Sequence, residues 1–521
     1  MTRSEQLRKL KSGKEWDILI IGGGATGLGA ALDAASRGYA VALVEKADFA
    51  KGTSSKSTKL VHGGVRYLAQ GNVKLVKEAL KERSILLQNA PHVSSIQPFI
   101  VPSFKWWERY FYGTGLTIYD LLSGNRGIGR TKMMSKNEVV AEMPYLRKKG
   151  LSGGIKYLDG QFDDARLAIN LAQTAVEYGA CVVNYAMVSQ LIQENKRIVG
   201  AEITDCLTGE AFHVNARVII NATGVHVDEI IQLEHKGNKP LISPSQGIHI
   251  VIDHQKFPVH SALMMPKTDD GRVLFAVPWQ GKVIIATTDT PVEEVTDEPV
   301  ALDQEVDFLI NHFNRYTESS ISKEDVRSVF AGLRPLLKEK GKTGTAFVSR
   351  DHKVIVTNAG LVTITGGKWT TYRRMAKDAV DNAIFVGKLD RRNCISEQIR
   401  IHGWAMQNVD AGKKSGLFHY GSDAAFIESL FEKQPEWGNE IIEGAELTIA
   451  EVVWAVRNEM AMRIEDVLAR RNRLLLKDAM LAMKAAPRVA EIMAIEMGKD
   501  ETWIQEEMKS FMLIAKNYSL N

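Results

Sequence analysis

Cysteine is scarce in this chain. Cys181, Cys206 and Cys394 stand far apart in 521 residues, which excludes a disulfide framework and any CxxC zinc or iron–sulfur cage. Such usage fits a reducing compartment, and no metal is expected. Long hydrophobic runs are missing too: nowhere do about eighteen uncharged apolar residues follow one another, so nothing is expected to cross a bilayer as a helix. The start lacks the apolar stretch of a secretory signal. A basic stripe along a domain, the usual footprint of nucleic-acid binding, is also absent. Lysine and arginine total 66 against 62 acidic residues, a net charge of +4. Arg3, Arg8, Lys9, Lys11 and Lys14, opposed only by Glu5, carry that whole surplus, so residues 1–14 read as a basic arm on a neutral chain. The expected location is cytoplasmic, free or peripheral on the inner face of the cell membrane. With 45% apolar and 25% charged residues the composition is that of a soluble globular protein, and the length implies about two to four domains.

Glycine, by contrast, is placed with a purpose near the N-terminus. Residues 17–21 (Asp-Ile-Leu-Ile-Ile) form an apolar, β-branched run, the mark of a buried parallel strand. It leads into Gly22-Gly-Gly-Ala-Thr-Gly27, a helical stretch rich in small residues, a second apolar strand at 40–44, and Glu45. Gly22 allows a tight turn, Gly24 lets the backbone approach a pyrophosphate, and Gly27 lets helix pack on strand. The helix N-terminus offers N–H groups to phosphates, and Glu45 can accept hydrogen bonds from ribose hydroxyls. Strand, glycines, helix, second strand and acid in this order predict a dinucleotide site. Up to Glu45 the pattern does not separate FAD from NAD, although no second glycine fingerprint occurs for an NAD enzyme.

The next segment favours a flavin. Thr53, Ser54, Ser55, Ser57 and Thr58 make a hydroxyl-rich loop able to donate to phosphates and to a flavin edge, and His62-Gly63-Gly64 lets backbone lie flat against a planar ring. A polar surface loop is the alternative from composition alone. Residues 218–224 and 361–368 each read as a buried strand ending in a small-residue turn, which places backbone N–H groups where doubly wound sheets bind ligands.

The run from Gly22 to Leu68, with its GTSSKSTKLVHGGVRYL core at residues 52–68, resembles the FAD-dependent glycerol-3-phosphate dehydrogenases, within the wider family of D-amino-acid oxidase and glycine oxidase. Further matches are Asp163-Asp-Ala-Arg-Leu167, Asn221-Ala-Thr-Gly224, Thr287-Thr-Asp-Thr290, Ala331-Gly-Leu-Arg-Pro335, Ser349-Arg-Asp351 and Gly366-Gly-Lys-Trp-Thr-Thr-Tyr-Arg373. They cover residues 15 to 490. Two departures stand out: Trp369 replaces the usual Leu, and Val225-His226 stands where Pro-Trp is common. The resemblance implies an α/β fold: a discontinuous Rossmann-like FAD-binding domain (15–90, 150–230, 330–385), an antiparallel-sheet substrate domain (91–149, 231–329) and a C-terminal α-helical domain (390–521).

Alcohol oxidation needs a hydride acceptor, a base and a cationic clamp for phosphate. The resemblance places Arg334 and Arg350 at the phosphate of glycerol 3-phosphate, where arginine's planar fork binds bidentately. Read without it, each is a surface arginine in a salt bridge. It puts Lys368 near the flavin, and Arg66 and Tyr67 along the active site, which could otherwise cap a helix. His249, in the alternating strand Gly247–Ile252, matches a family histidine facing substrate; His62 could serve as base instead, or hold the flavin. Gly22, Gly24, Gly27, Glu45, Thr53, Ser54, Ser57, His62, Gly63, Gly64, Val188, Ala222, Gly224, Gly367, Lys368 and Thr370 are expected to bind FAD.

Electrons leave such enzymes to a membrane quinone or, in oxidases, to oxygen, with release of hydrogen peroxide; many oxygen-using relatives carry an insertion for which this chain is too short. Quinone is the expected acceptor. Residues 104–119 crowd Trp, Tyr and Phe beside Lys105 and Arg109, a mixture that suits lipid headgroups; core packing is the other explanation. Leu447–Ala455 and Val467–Leu476 show helical spacing, and Arg470-Arg-Asn-Arg473 reads as a solvated or salt-bridged helix face, with no nucleic-acid partner. A homo-oligomer is left open.

Overall fold

A computed structural model describes residues 1–520 except 66, 67, 69, 70, 238, 319, 339–350 and 406–415. Arg66, Tyr67 and Arg350 therefore lie outside the described residues.

The apolar runs of the sequence become the centre of one sheet. Strands β1 (Trp16–Ile21), β2 (Val41–Val44), β7 (Cys181–Val183), β10 (Ala211–Asn221) and β18 (Leu361–Gly366) run parallel in the order β18-β10-β1-β2-β7. Antiparallel β17 (His352–Val356) extends one edge, and the hairpin of β8 (Ala186–Glu194) and β9 (Arg197–Asp205) pairs with β10. Central strands are buried on both faces, as their unbroken Ile, Leu and Val require. Helices Ala25–Ser36, Asp164–Glu177 and Tyr372–Val386 supply the apolar cover on one side. The alanines and glycines of the first helix permit close contact: a Cβ on Gly29 would lie 2.8 Å from the Tyr372 ring.

The second sheet is antiparallel except for one pair. It contains β3 (Leu60–Val61), β4 (Ser94–Ser103), β5 (Lys132–Ser135), β6 (Gly153–Phe162), β11 (Ile242–Asp253), β12 (Ala262–Met265), β13 (Leu274–Trp279), β14 (Lys282–Ala286), β15 (Thr290–Pro291) and β16 (Val326–Leu337). Only β4 and β12 pair parallel. Three pieces differ from the segment boundaries expected above. Strands β3 and β6 and the second half of β16, assigned by sequence to nucleotide-binding segments, hydrogen-bond into this sheet. The reason is ladder continuity: β16 follows β11 from Ile242↔Leu337 to Ile252↔Val326, and β6 follows β4 from Ser94↔Phe162 to Ser103↔Gly153, so neither can be divided.

Residues 1–14 also differ from a free basic arm. Arg3–Leu10 is a helix with Gln6 and Leu10 buried, and Arg3 pairs with Asp205 at 2.7 Å.

The C-terminal region is helical, as the spacing predicts. Helices Ile449–Asn458, Ala479–Met497 and Glu501–Ala515 share a core with Val251, Trp279, Ile284 and Phe330 of the second sheet. Between them lies a π-helical turn, Asp466–Arg471. Of the two readings for Arg470–Arg473, the salt-bridged one holds and the solvated one fails, because all three arginines are buried. Asp48 takes both Arg470 and Arg471; Arg470 also meets Glu465 at 2.5 Å and Asp466 at 2.7 Å. Arg473 reaches Asp164 at 2.8 Å and the Ser55 carbonyl at 2.9 Å. The tail is thus bolted to the nucleotide-binding sheet and to the loop beyond Gly52.

Candidate active site

Four parallel strands end at one place. Past β1, β2, β10 and β18 come Gly22, Glu45, Ala222 and Gly367, and these turns line a cleft that opens to solvent. The glycines fit the roles that their spacing predicts. At Gly22, φ is +110°, and a Cβ would sit 2.7 Å from the Ala222 carbonyl oxygen; at Gly27 it would sit 1.9 Å from that of Gly22. Gly24 precedes the helix that begins at Ala25, so N–H groups of the first turn face the cleft. Gly22 and Gly27 thus let the turn and helix close on each other, and a Cβ at Gly24 would crowd Ser54 on the cleft wall at 3.0 Å, so these residues fit a dinucleotide.

Glu45 lines the cleft, but it is already engaged: one oxygen accepts from Gly23 N–H at 2.6 Å and the other from Ala47 N–H at 2.9 Å. Burial raises its pKa. The carboxylate therefore braces the glycine turn while keeping lone pairs for a ribose. Thr53, Ser54, Gly224 and Lys368 line the same space. Ser54 Oγ accepts from Ala25 N–H at 2.9 Å, and Thr53 Oγ1 donates to the Leu333 carbonyl at 2.6 Å. The Trp369 indole, a departure from the family pattern, donates to the Ser54 carbonyl at 2.8 Å.

Other expected cofactor residues support these walls from behind. Ser57 donates to Asp164 at 2.7 Å; Gly63 N–H donates to the Tyr119 hydroxyl at 2.7 Å; His62 N–H donates to Thr370 Oγ1 at 3.2 Å. Gly64 holds φ at +75° in the same turn. Val188 packs in the apolar cluster beneath β1 and does not line the cleft.

A second set of groups stands on the β11–β16 ladder. Phe330, Gly332 and Arg334 alternate on one face of β16, opposite His249, Gly247 and Ser245 of β11. Loop 53–58 lies against this face: a Cβ on Gly332 would be 3.1 Å from Lys56, and Thr58 Oγ1 is 2.9 Å from His249 Nε2. The imidazole stacks on Phe330 with centroids 4.6 Å apart. Burial, then the cations Lys59 and Arg334, push its pKa well below the ordinary value. His249 is therefore neutral at pH 7 and able to accept a proton.

Arg334 is held by the turn after β14. Nη1 meets Asp289 Oδ1 at 3.1 Å, and Nη2 donates to Thr287 Oγ1 at 3.0 Å and to the Thr288 carbonyl at 2.9 Å. Asp289 in turn accepts from Ser245. The Thr287–Thr290 motif is visible in the sequence, but nothing there assigns Asp289 this contact.

The largest omission is a buried cluster behind the loop. Lys59 is fully buried, donates to Asp164 and to the Ser55 carbonyl, both at 2.7 Å, and faces the rings of Trp279 and Phe330. Burial and Arg473 push its pKa down to about 7 against the pull of Asp164. All three residues belong to recognisable sequence motifs, yet the pairing of positions 59, 164 and 473 leaves no periodic signal.

Two family models match this chain: "FAD dependent oxidoreductase" over residues 17–373 and "C-terminal domain of alpha-glycerophosphate oxidase" over 362–504. The mitochondrial glycerol-3-phosphate dehydrogenase SDP6 of Arabidopsis thaliana is 40% identical, across 95% of this chain and 85% of the relative. The mitochondrial glycerol-3-phosphate dehydrogenase of Mus musculus is 37% identical, across 98% and 74%. Among solved structures, the glycerol-3-phosphate dehydrogenase of Bacillus halodurans complexed with FAD superposes with a TM-score of 0.81 at 29% identity, covering 99% of this chain and 97% of that one. The cofactor for which the cleft is shaped is FAD, and the chain belongs to the FAD-dependent oxidoreductase family, among relatives that are glycerol-3-phosphate dehydrogenases.

Proposed function

We propose that the protein oxidises sn-glycerol 3-phosphate to dihydroxyacetone phosphate and delivers the electrons to a membrane quinone. The observation that carries this reading is the juxtaposition of a neutral His249 and the guanidinium of Arg334 on one face of β11–β16, beside the loop that walls the FAD cleft. FAD, held by Gly22, Gly24, Glu45, Thr53, Ser54 and Lys368, supplies hydride acceptance. His249 takes the proton of the C2 hydroxyl. Arg334 orients the substrate through its phosphate, and the Asp289 contact fixes the plane of its fork. Lys368 places a cation at the cleft wall. Arg350, Arg66 and Tyr67 join this proposal through the family resemblance alone.

The acceptor reading rests on the helix Trp106–Ser123. Its buried residues are Glu108, Gly113, Leu116 and Tyr119, whereas Trp106 and Leu121 are each 74% exposed and Phe111 65%. Core packing thus accounts for one face only. Outward Trp, Tyr and Phe beside Lys105, Arg109 and Lys267 make an interfacial helix, which would set the enzyme on the membrane where quinone resides. No described helix is long and apolar enough to cross a membrane. Adding glycerol 3-phosphate under nitrogen should bleach the flavin spectrum; a quinone analogue should then restore it faster than air does. Bleaching that fails overturns the substrate, and rapid recovery in air with hydrogen peroxide overturns the acceptor in favour of an oxidase.

A further inference from the structure

Residues 292–300 cross the mouth of the FAD cleft as neither helix nor strand. Thr296, Asp297 and Pro299 of this strap line the cleft together with Glu45–Ala47 and Ala222–His226. One end is anchored by Val292 and Val295 packing with Val225 and Leu333. Glu298 meets Lys51 at 3.1 Å and Lys56 at 2.9 Å. At the other end Gln246 donates to the Val300 carbonyl at 2.9 Å, and between the two ends a further set of ion pairs centres on the departure from the family pattern seen in the sequence.

We propose that His226 latches this strap, so that the chain retains its FAD through an ion-pair closure at the cleft mouth. His226 follows the Ala222–Gly224 turn, and both of its ring nitrogens face carboxylates: Nε2 lies 3.0 Å from Asp297 Oδ1, and Nδ1 lies 2.5 Å from Glu229 Oε1. A neutral imidazole can donate to only one of them, so this arrangement calls for the imidazolium. Lys46, just past β2, grips the same Asp297 oxygen at 2.8 Å. The strap is therefore drawn toward both sides of the cleft by one carboxylate. An indole at position 226, common in the family, would offer Asp297 no charge.

The groups facing His226 are Glu229 from its own helix, Asp297 from the strap and Lys46 from the opposite wall. Burial and Lys46 oppose the imidazolium, but Asp297 and Glu229 outweigh them and push its pKa up to about 9. Because the bound-state pKa is raised, the latch is whole at neutral pH and is lost as pH rises through about 9.

The test follows FAD release from the holoenzyme by the gain in flavin fluorescence on dilution. At pH 7.5, His226→Gln should release FAD about three- to tenfold faster than wild type, as expected for loss of partly exposed ion pairs. Wild-type release should accelerate as pH passes 9, and the variant should lack that step. Asp297→Asn, which also loses the Lys46 contact, should accelerate release at least as much, and the double variant should release no faster than the faster single. His226→Lys, which keeps a cation toward Asp297, should retain slow release without the step at pH 9. Unchanged release in His226→Gln, multiplying effects in the double variant, or fast release from a folded His226→Lys would each overturn the latch.

Discussion

Arg334 shows what one side chain is asked to do in two directions. Its fork is oriented by Asp289, Thr287 and the Thr288 carbonyl, yet in the proposed function it is also the cation offered to the substrate phosphate. A charge-assisted contact of this kind is worth about 1.5–3 kcal/mol. Arg334→Lys keeps the charge but not the plane, so kcat/KM for glycerol 3-phosphate should fall by about ten- to a hundredfold with FAD still bound. Glycerol, which has no phosphate, should be turned over with a much smaller loss; equal losses would place Arg334 in the fold or the flavin site instead. His249 makes a statement about pH. Burial depresses its pKa, so the neutral, proton-accepting form persists well below pH 6.5, and the acid limb of kcat/KM should lie there. His249→Asn should lower kcat by about 10²–10⁴. A limb that stays in place in that variant would assign the base elsewhere. Such residues were legible because short motifs carried them; their partners were not. His226 and Asp297, or Lys59 and Asp164, pair across intervals with no period, and charge pairing through space leaves no mark along a chain.

At the scale of elements, the glycine turn and the aromatic helix lend themselves to separate tests. Gly24→Val and Gly27→Val should fail differently. A Cβ at Gly24 meets only the Ser54 hydroxyl at 3.0 Å, whereas one at Gly27 collides with backbone at 1.9 Å. The first should yield a folded, colourless protein; the second should lose folded protein as well, by about 3 kcal/mol or more, seen in the denaturant midpoint. Flavin fully bound in Gly24→Val would misplace the pyrophosphate. For the helix Trp106–Ser123, replacing Trp106 and Trp107 by Ser should shift the folded enzyme from the pellet to the supernatant with anionic vesicles, and salt should weaken wild-type binding. Unchanged sedimentation would move the attachment elsewhere. The sequence marked this segment as aromatic but could not say which way it faced. Alternation is a strong guide in strands such as β11, whereas a helix with aromatics on most of its circumference has to be seen packed.

Across the whole molecule, buried charge ties the helical tail to the nucleotide-binding sheet. Burial alone would raise the Asp48 pKa, but Arg471 and Arg470 hold it below the ordinary carboxylate range, and Glu465 is held down to about 2. Depressed carboxylates stabilise the fold above their unfolded values and lose that contribution as pH falls. The melting temperature should therefore decline between about pH 4.5 and pH 2. Asp48→Asn, which removes the buried carboxylate shared by Arg470 and Arg471 while leaving Arg470 its Glu465 and Asp466 contacts, should cost about 3–5 kcal/mol in denaturant unfolding. A loss under 1 kcal/mol would show the cluster to be merely tolerated. The three-part architecture followed from the family resemblance, while the assignment of β6 and β16 to the second sheet did not, because a strand's sequence does not name the sheet it will join.

The same bolts have a consequence in time. Asp48 and Arg470 are separated by 422 residues, and Ser55 and Arg473 by 418. At about 5–20 residues per second, a ribosome makes the second member of each pair roughly 20–80 seconds after the first. Throughout that interval the glycine turn and the flavin loop exist as nascent chain with their carboxylate and carbonyl anchors uncompensated. The flavin loop is thus braced only once Arg470 and Arg473 have been made, long after the glycine turn it stands beside.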